Sequence, residues 1–232
     1  MKSWHNNRCV SWTGLHFAWE LFTGRKMNNF LRITALLTLA ALPAAAASFT
    51  INNTGGAADG SADPNWLVNG GTAYVVANRP PPWLANSVAS GWISPGANYG
   101  PGIPRSTPGA YTYETTFDLT GLNPNSATLS FVVAADDQLT DVLLNGMSQG
   151  INYVGFNAFS GLFTINSDFI AGVNTIEFLT LNGLTVLNPT GLRVEFSNAT
   201  ANVIADAPEP SSIALFGIGT LLLFARRFRK TK

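Results

Sequence analysis

The sequence predicts an all-β fold, a jelly-roll-like β-sandwich flanked by an N-terminal signal peptide and a single C-terminal transmembrane helix. Three features predict this class. Short apolar runs are separated by Gly, Asn, Thr and Pro, and no segment before residue 207 repeats its apolar residues at helical spacing. Residues 111–119 alternate between a largely apolar face and a polar face, as in a half-buried strand.

The predicted strands number eight or nine, which suits a jelly roll. The alternating segment 111–119 is the clearest, and 127–135 is apolar on both faces, as expected of a central strand that ends before an Asp-Asp pair. Asn69-Gly70-Gly71 is a strong hairpin signal, and Asn145-Gly146 is a second tight turn. We place strands at 48–51, 66–68, 73–76, 111–119, 127–135, 142–144, 163–165, 174–181 and 191–196.

The pattern fails between residues 78 and 109, where seven prolines exclude a central strand over most of the segment. This loop nevertheless carries Trp83, Trp92 and Tyr99, which makes it too apolar for a plain linker. Long ordered loops are often functional. We therefore expect either a binding surface here or a group of aromatic side chains that plugs one end of the sandwich.

The C-terminal tail, residues 207–232, has three parts in fixed order. A rigid Pro-Glu-Pro tripeptide is followed by an uncharged apolar run, 211–225, and then by a basic cluster. As a helix this run reaches roughly 22 Å, short of the roughly 30 Å core of a bilayer, so long basic side chains must snorkel. A buried core helix is the alternative, which the prolines and cations disfavour. The marker residues are Pro208, Glu209, Pro210, Arg226, Arg227, Arg229 and Lys230.

This tail resembles the PEP-CTERM sorting signal of bacterial exported proteins. The resemblance implies that an exosortase recognises and processes residues 206–232, and that the export machinery is a further partner. It also implies a chain anchored in the membrane by its C-terminal helix before processing, and then found at the cell surface or outside the cell. Basic residues after an apolar span stay in the cytoplasm, which places residues 48–205 outside.

The N-terminus carries a signal-peptide pattern that starts late. Residues 27–47 contain a short n-region, an apolar stretch and an A-x-A cleavage motif just before Ser48. We interpret Met27 as the start of translation and residues 1–26 as a mis-called start, with an unusually long n-region as the alternative. Residues 48–205 then form one β-domain, ahead of the sorting signal at 206–232.

The composition of residues 48–205 excludes several classes of function. Three arginines against ten carboxylates give 3 − 10 = −7, with no lysine, so nucleic-acid binding is not expected. The region has no Cys and no His, which rules out a Cys nucleophile, a Ser-His-Asp arrangement and a His- or Cys-ligated zinc. Carboxylate chemistry and oxygen-ligated Ca²⁺ remain available.

The β-region also resembles galactose-binding-like jelly rolls, over residues 111–196. The runs that carry the likeness are YTYETTFDLTGL, ATLSFVVAADDQLTDVLLNG, AGVNTIEFLTLNG and NPTGLRVEF. Domains of this kind serve as carbohydrate-binding modules and as accessory domains of glycosidases. The resemblance therefore implies an extracellular polysaccharide as the ligand.

Two sets of side chains are candidate sites. Aromatic faces can pack on sugar rings, arginine can fork onto a uronic-acid carboxylate, and carboxylates can accept from hydroxyls. Three aspartates close in sequence can ligate Ca²⁺, the one cofactor we consider, although an Asp-Asp pair is also ordinary turn chemistry. The predicted ligand-binding residues are Trp83, Trp92, Tyr99, Arg105, Asp136 and Asp137, and the predicted Ca²⁺ ligands are Asp136, Asp137 and Asp141.

Taken together, these features predict an exported surface or matrix protein that binds exopolysaccharide. A structural or adhesive matrix protein without a small ligand is the alternative. A carboxylate-based glycosidase is the third reading, and we do not predict an enzyme, because Glu114, Glu177 and Glu195 alternate with apolar residues on outward strand faces.

Overall fold

The computed structural model describes residues 45–97, 106–183 and 187–204, together with residues 217, 219 and 220. The chain divides into two compact units, Met1–Pro43 and Ala44–Lys232, and all described residues belong to the second. Within 45–204 the described elements are strands and one short 3-10 helix, Pro124–Ser126, which confirms the all-β prediction. The strands are β1 (Ala46–Ser48), β2 (Ala62–Val68), β3 (Gly71–Val75), β4 (Ile93–Ser94), β5 (Gly109–Asp118), β6 (Thr128–Leu144), β7 (Met147–Ser148), β8 (Tyr153–Gly155), β9 (Phe163–Ile165), β10 (Val173–Asn182) and β11 (Gly191–Asn202).

The strand pairings form a closed circuit. Around it the order is β11, β4, β3, β2, β5, β10, β6 and again β11, while β1 extends the sheet from β11 and β7, β8 and β9 pair with β6. The result is a closed barrel with extra strands, so two separate sheets of a sandwich are not confirmed.

The long strand β6 closes the circuit because it changes partner along its length. Residues 128–136 pair with β11, and residues 138–144 pair with β10, both antiparallel. β10 and β11 therefore follow one another along β6, and the change of partner falls at Asp136 and Asp137. The prediction that the strand ends at residue 135 is wrong, because the buried Asp136 stays in the ladder opposite Gly191.

Local sequence patterns predict the strands and turns well. In β5, Tyr111, Tyr113, Thr115 and Phe117 are buried and their neighbours are less so, which confirms the alternation. Asn69 and Gly70 both have positive φ, 49° and 70°, as a type I′ hairpin requires, and β2 and β3 flank them as predicted. The Asn145-Gly146 turn has the same signs, φ 51° and 79°.

An aromatic cluster fills the centre of the main core. The ring of Phe178 lies 5.3 Å from that of Phe131 and 5.7 Å from that of Trp66, centroid to centroid, and Phe131 also contacts Phe196 at 5.9 Å. Trp66 is 1% exposed. Burial of these rings removes on the order of 150–250 Å² each from water, which makes this cluster the principal apolar anchor of the domain.

Candidate functional site

Two aromatic side chains of the long loop, those of Trp83 and Trp92, point inward. Trp83 and Trp92 are 4% and 0% exposed, and their ring centroids are 4.3 Å apart. Together with Val76 and Ala134 they form a second core cluster beside the main one. The structure therefore brings the two predicted sugar-stacking residues together, but it places them in the interior rather than on a surface.

Asp136 anchors this indole pair to β6. Its Oδ2 accepts a 2.8 Å hydrogen bond from the indole nitrogen of Trp83, and its backbone oxygen accepts a 2.7 Å bond from the hydroxyl of Thr190. Burial and, after it, the side chain of Asp137 raise the pKa of Asp136 to about 7, although the hydrogen bond from Trp83 acts in the opposite direction. The carboxyl is thus held at the point where β6 changes partner.

Asp137 follows Asp136 in β6 and links a different segment to this point. The peptide bond between Asp136 and Asp137 is cis. Asp137 is half-buried, and its Oδ2 accepts a 2.9 Å hydrogen bond from the backbone N–H of Gly183, just after β10. The acidic pair therefore connects the end of β10 and the start of β11 to the middle of β6.

Asp141 is held apart from this pair. Its carboxylate accepts hydrogen bonds from the Ser148 hydroxyl and from the backbone N–H of Val142. Among the described residues no group of three or more His, Cys, Asp or Glu side chains is placed to hold a metal ion. The structure does not assemble the predicted Ca²⁺ triad, because Asp141 hydrogen-bonds in the β6–β7 hairpin.

A second anchor, Arg193 on β11, was not predicted as a site residue. Its guanidinium donates to the hydroxyls of Ser90 at 2.6 Å and Ser87 at 3.0 Å, and to the backbone oxygen of Ala85. It also pairs with Glu195 at 3.0 Å and lies 4.7 Å from the centre of the Phe159 ring. The sequence signal that could have revealed it is a lone cation inside the apolar strand segment GLRVEF.

The charge state of this pair follows from its surroundings. Burial lowers the pKa of Arg193, and the bond and charge of Glu195 partly offset that effect. Burial also pushes the pKa of Glu195 upward, but hydrogen bonds from Ser90, Ser87 and Arg193 outweigh it and leave that pKa below its ordinary value. The pair is therefore an ion pair that ties the loop 85–90 to β11.

Several predicted residues lie outside the described part of the chain. These are two candidates in the long loop and the whole sorting signal: Tyr99, Arg105, Pro208, Glu209, Pro210, Arg226, Arg227 and Arg229. The predicted membrane segment, 211–225, lies there too, apart from residues 217, 219 and 220. In the described residues, none of the helices has the length and apolar character needed to span a membrane.

Comparison with known families gives one match. Residues 206–230 match the PEP-CTERM protein-sorting motif. A search of curated proteins found none that matches this chain. The motif indicates an exported protein that is sorted by an exosortase and associated with the membrane before cleavage. It covers the tail and not the β-domain, so it carries no information about a ligand.

Proposed function

We propose that this chain is an exported component of the cell surface or extracellular matrix, sorted through its C-terminal motif, whose β-domain has a structural or adhesive role. The observation that carries the proposal is the position of Trp83 and Trp92. Flat aromatic faces bind sugars only when they are open to the ligand, and here each indole covers the other in the core. In the described part of the loop, these two indoles therefore serve as packing residues of the domain.

The charges of the domain support the same role. The guanidinium of Arg193 is hydrogen-bonded to the loop 85–90 and to Glu195. Residues 48–205 carry three arginines against ten carboxylates, 3 − 10 = −7, and no lysine. An excess of negative charge keeps an exported protein soluble and repels other polyanions, which suits a matrix component that associates through specific contacts.

Polysaccharide binding is the second candidate, and Asp137 favours it. Its carboxylate is half-buried at the junction of β6, β10 and β11, where it can accept hydrogen bonds from sugar hydroxyls. The likeness to galactose-binding-like domains supports this candidate as well. In this second candidate function, the glycan contacts the junction of β6, β10 and β11, and the indole pair of Trp83 and Trp92 stays buried.

We propose no enzymatic activity. Glu114 and Glu177 stand directly opposite each other on β5 and β10, yet they lie on the solvent side of the sheet, between residues that are buried. A retaining glycosidase needs its two carboxylates about 5–5.5 Å apart on either side of a bound sugar. Glu114 and Glu177 lie on the same face of neighbouring strands, so they cannot flank a bound sugar on two sides.

The sorting part of the proposal is tested in the host. We expect the wild-type protein at the surface or in the medium, with a mass that shows loss of the tail. The variant Glu209→Ala should accumulate at full length in the membrane fraction, and Asp59→Ala, an exposed carboxylate outside the motif, is the control. Equal processing of both variants and wild type would contradict a role for the motif.

The ligand is tested with the purified protein and the host's own exopolysaccharide. If the β-domain has a structural or adhesive role, we expect no saturable binding of this exopolysaccharide by the purified protein. Saturable binding would establish polysaccharide binding as the function instead, provided that Asp137→Asn weakens it and Asp59→Asn leaves it intact. Asp59 is an exposed carboxylate in the loop before β2 and serves as the control.

A further inference from the structure

The first strand of the domain contains the last two residues that the sequence assigns to the signal peptide, Ala46 and Ala47. Ala46, Ala47 and Ser48 pair antiparallel with Asn202, Ala201 and Thr200 at the end of β11. The predicted cleavage site is the bond between Ala47 and Ser48. It therefore lies inside a β-ladder of the folded domain.

Hydrogen bonds continue this ladder on both sides of the cleavage site. The backbone N–H of Val203 donates to the oxygen of Ala45 at 2.9 Å, and the N–H of Phe49 donates to the oxygen of Ala199 at 3.0 Å. Because hydrogen-bonded pairs alternate in an antiparallel ladder, the pair of Ala47 and Ala201 is of the same kind. Five consecutive residues, 45–49, are thus held against 199–203.

Side-chain packing holds the same segment in place. Phe49, two residues after the cleavage site, is 8% exposed and stacks on Phe117 of β5 at a centroid distance of 5.1 Å. Ala201 is 2% exposed. The strand is therefore fixed by the core as well as by its backbone.

We propose that the pairing of β1 with β11 is an autoinhibitory contact, which closes the signal-peptide cleavage site once the domain has folded. A protease that takes its substrate as an extended strand uses the backbone edge of that strand. In the folded chain β11 occupies the edge of β1 that carries the N–H and C=O groups of Ala45, Ala47 and Phe49, so the segment must open locally before a protease can use this edge. The inference rests on the proposed export, since a signal peptide has to be present.

Because β11 comes late in the chain, signal-peptide cleavage is unhindered only until β11 has been exported and has folded onto β1. Ala46 and Asn202 are 202 − 46 = 156 residues apart, and β11 is the last strand of the domain. During export the signal peptide leads and β11 follows at the end, so the site is open until almost the whole domain has crossed. A chain that completes folding before it is cut keeps its N-terminal segment.

Cleavage that comes too late has a consequence for the location of the protein. A folded chain that escapes cleavage keeps its N-terminal apolar segment. Such a form is retained at the membrane by its N-terminus, whatever happens to the C-terminal tail.

The test uses the full chain, folded and purified in detergent, with bacterial signal peptidase. A synthetic peptide of residues 40–52 contains the cleavage site without β11 and reports the unprotected rate. We expect the peptide to be cut between Ala47 and Ser48, and the folded chain to be cut at least about tenfold more slowly. Mass spectrometry of the products identifies the bond.

Matched substitutions in β11 test the cause of the protection. Val203→Pro removes the N–H that bonds Ala45, whereas Val203→Ala keeps it, and Val203 is 42% exposed, so the core is not disturbed. We expect Val203→Pro to raise the rate severalfold and Val203→Ala to behave as wild type. Ala201→Pro should remove the protection further, with its melting temperature as the check on folding.

Two results would overturn the proposal. If the folded wild-type chain is cut as fast as the peptide, the ladder does not protect the site. If the peptide is cut only at bonds outside residues 46–48, the cleavage site is not in β1. Failure of the proposed function has a different signature, namely a protein that is found neither at the surface nor outside the cell.

Discussion

The indole nitrogen of Trp83 donates a 2.8 Å hydrogen bond to Oδ2 of Asp136, across 53 residues of sequence. This bond joins the long proline-rich loop to the point where β6 passes from β11 to β10. It gives the loop a fixed position, and it explains why a carboxyl is kept inside a β-strand. The first two predictions concern the two sides of this contact.

Removing the carboxyl of Asp136 should change how stability depends on pH. Its pKa is raised to about 7 in the folded protein, from an ordinary 3.8, so the folded state binds more protons between these values. Stability contributed by the protonated group is therefore lost as pH rises from about 4 to about 7. Asp136→Asn should lose this dependence and be more stable than wild type by on the order of 1–3 kcal/mol at about pH 8.

Urea unfolding at about pH 5 and about pH 8 measures the difference. Asp59→Asn, an exposed substitution, should leave the wild-type pH dependence intact. A wild-type protein that is equally stable at both pH values would show that Asp136 does not hold its proton in the folded state.

A methyl group at residue 191 should displace Trp83. A Cβ on Gly191 would lie 2.6 Å from Cη2 of that indole and 3.1 Å from the backbone oxygen of Ile93. Overpacking of this kind costs about 1–3 kcal/mol. Gly191→Ala should therefore lower the urea midpoint, whereas Gly161→Ala, with open space around the new methyl, should not. Equal midpoints would mean that the indole is free to move.

The fork geometry of Arg193, and not only its charge, should hold the loop. Lysine keeps the charge but has three N–H donors on a single nitrogen, too few for the four acceptors that the guanidinium contacts. Arg193→Lys should cost on the order of 1–3 kcal/mol and speed proteolytic cutting near the fully exposed Val88. Mass spectrometry of the fragments locates the cut. An unchanged cutting rate would show that the loop is held by the indole pair alone.

The cross-strand pair of Glu114 and Glu177 should be a source of instability. Like charges directly opposite each other on an antiparallel pair destabilise it, and an opposite pair contributes roughly 0.2–1 kcal/mol. Glu177→Lys should therefore raise the melting temperature at low salt, and added salt should reduce the gain. Thr175→Lys, opposite Thr116 on the same strand pair, is the control. A gain of the same size in the control would indicate a general charge effect.

The tryptophan fluorescence of the protein should show that its indoles are shielded from water. A chain that starts at Ser48 keeps three of the six tryptophans, Trp66, Trp83 and Trp92, and all three are at most 4% exposed. We expect blue-shifted emission that acrylamide quenches poorly and that glycans leave unchanged. Strong quenching, or a shift on addition of exopolysaccharide, would place an indole at the surface and favour the carbohydrate reading.

The sequence by itself determined the class of the domain, most of its strands and the destination of the chain. Alternation in residues 111–119 and the Asn-Gly turns are local signals, and local backbone preferences act the same way wherever the segment lies. The tail is equally local, because a proline pair, an apolar run and a basic cluster are recognised in order along the chain.

Only the tertiary structure decided whether the described candidate residues are buried or exposed. Trp83 has the same sequence neighbours whether it binds a sugar or packs in the core. Its burial depends on contacts with Asp136 and Gly191, which are distant in sequence. Asp136 and Asp137 fit a turn equally well, and they stay within β6 because β10 and β11 meet there. Such outcomes depend on pairings between residues far apart in the chain, which no local pattern encodes.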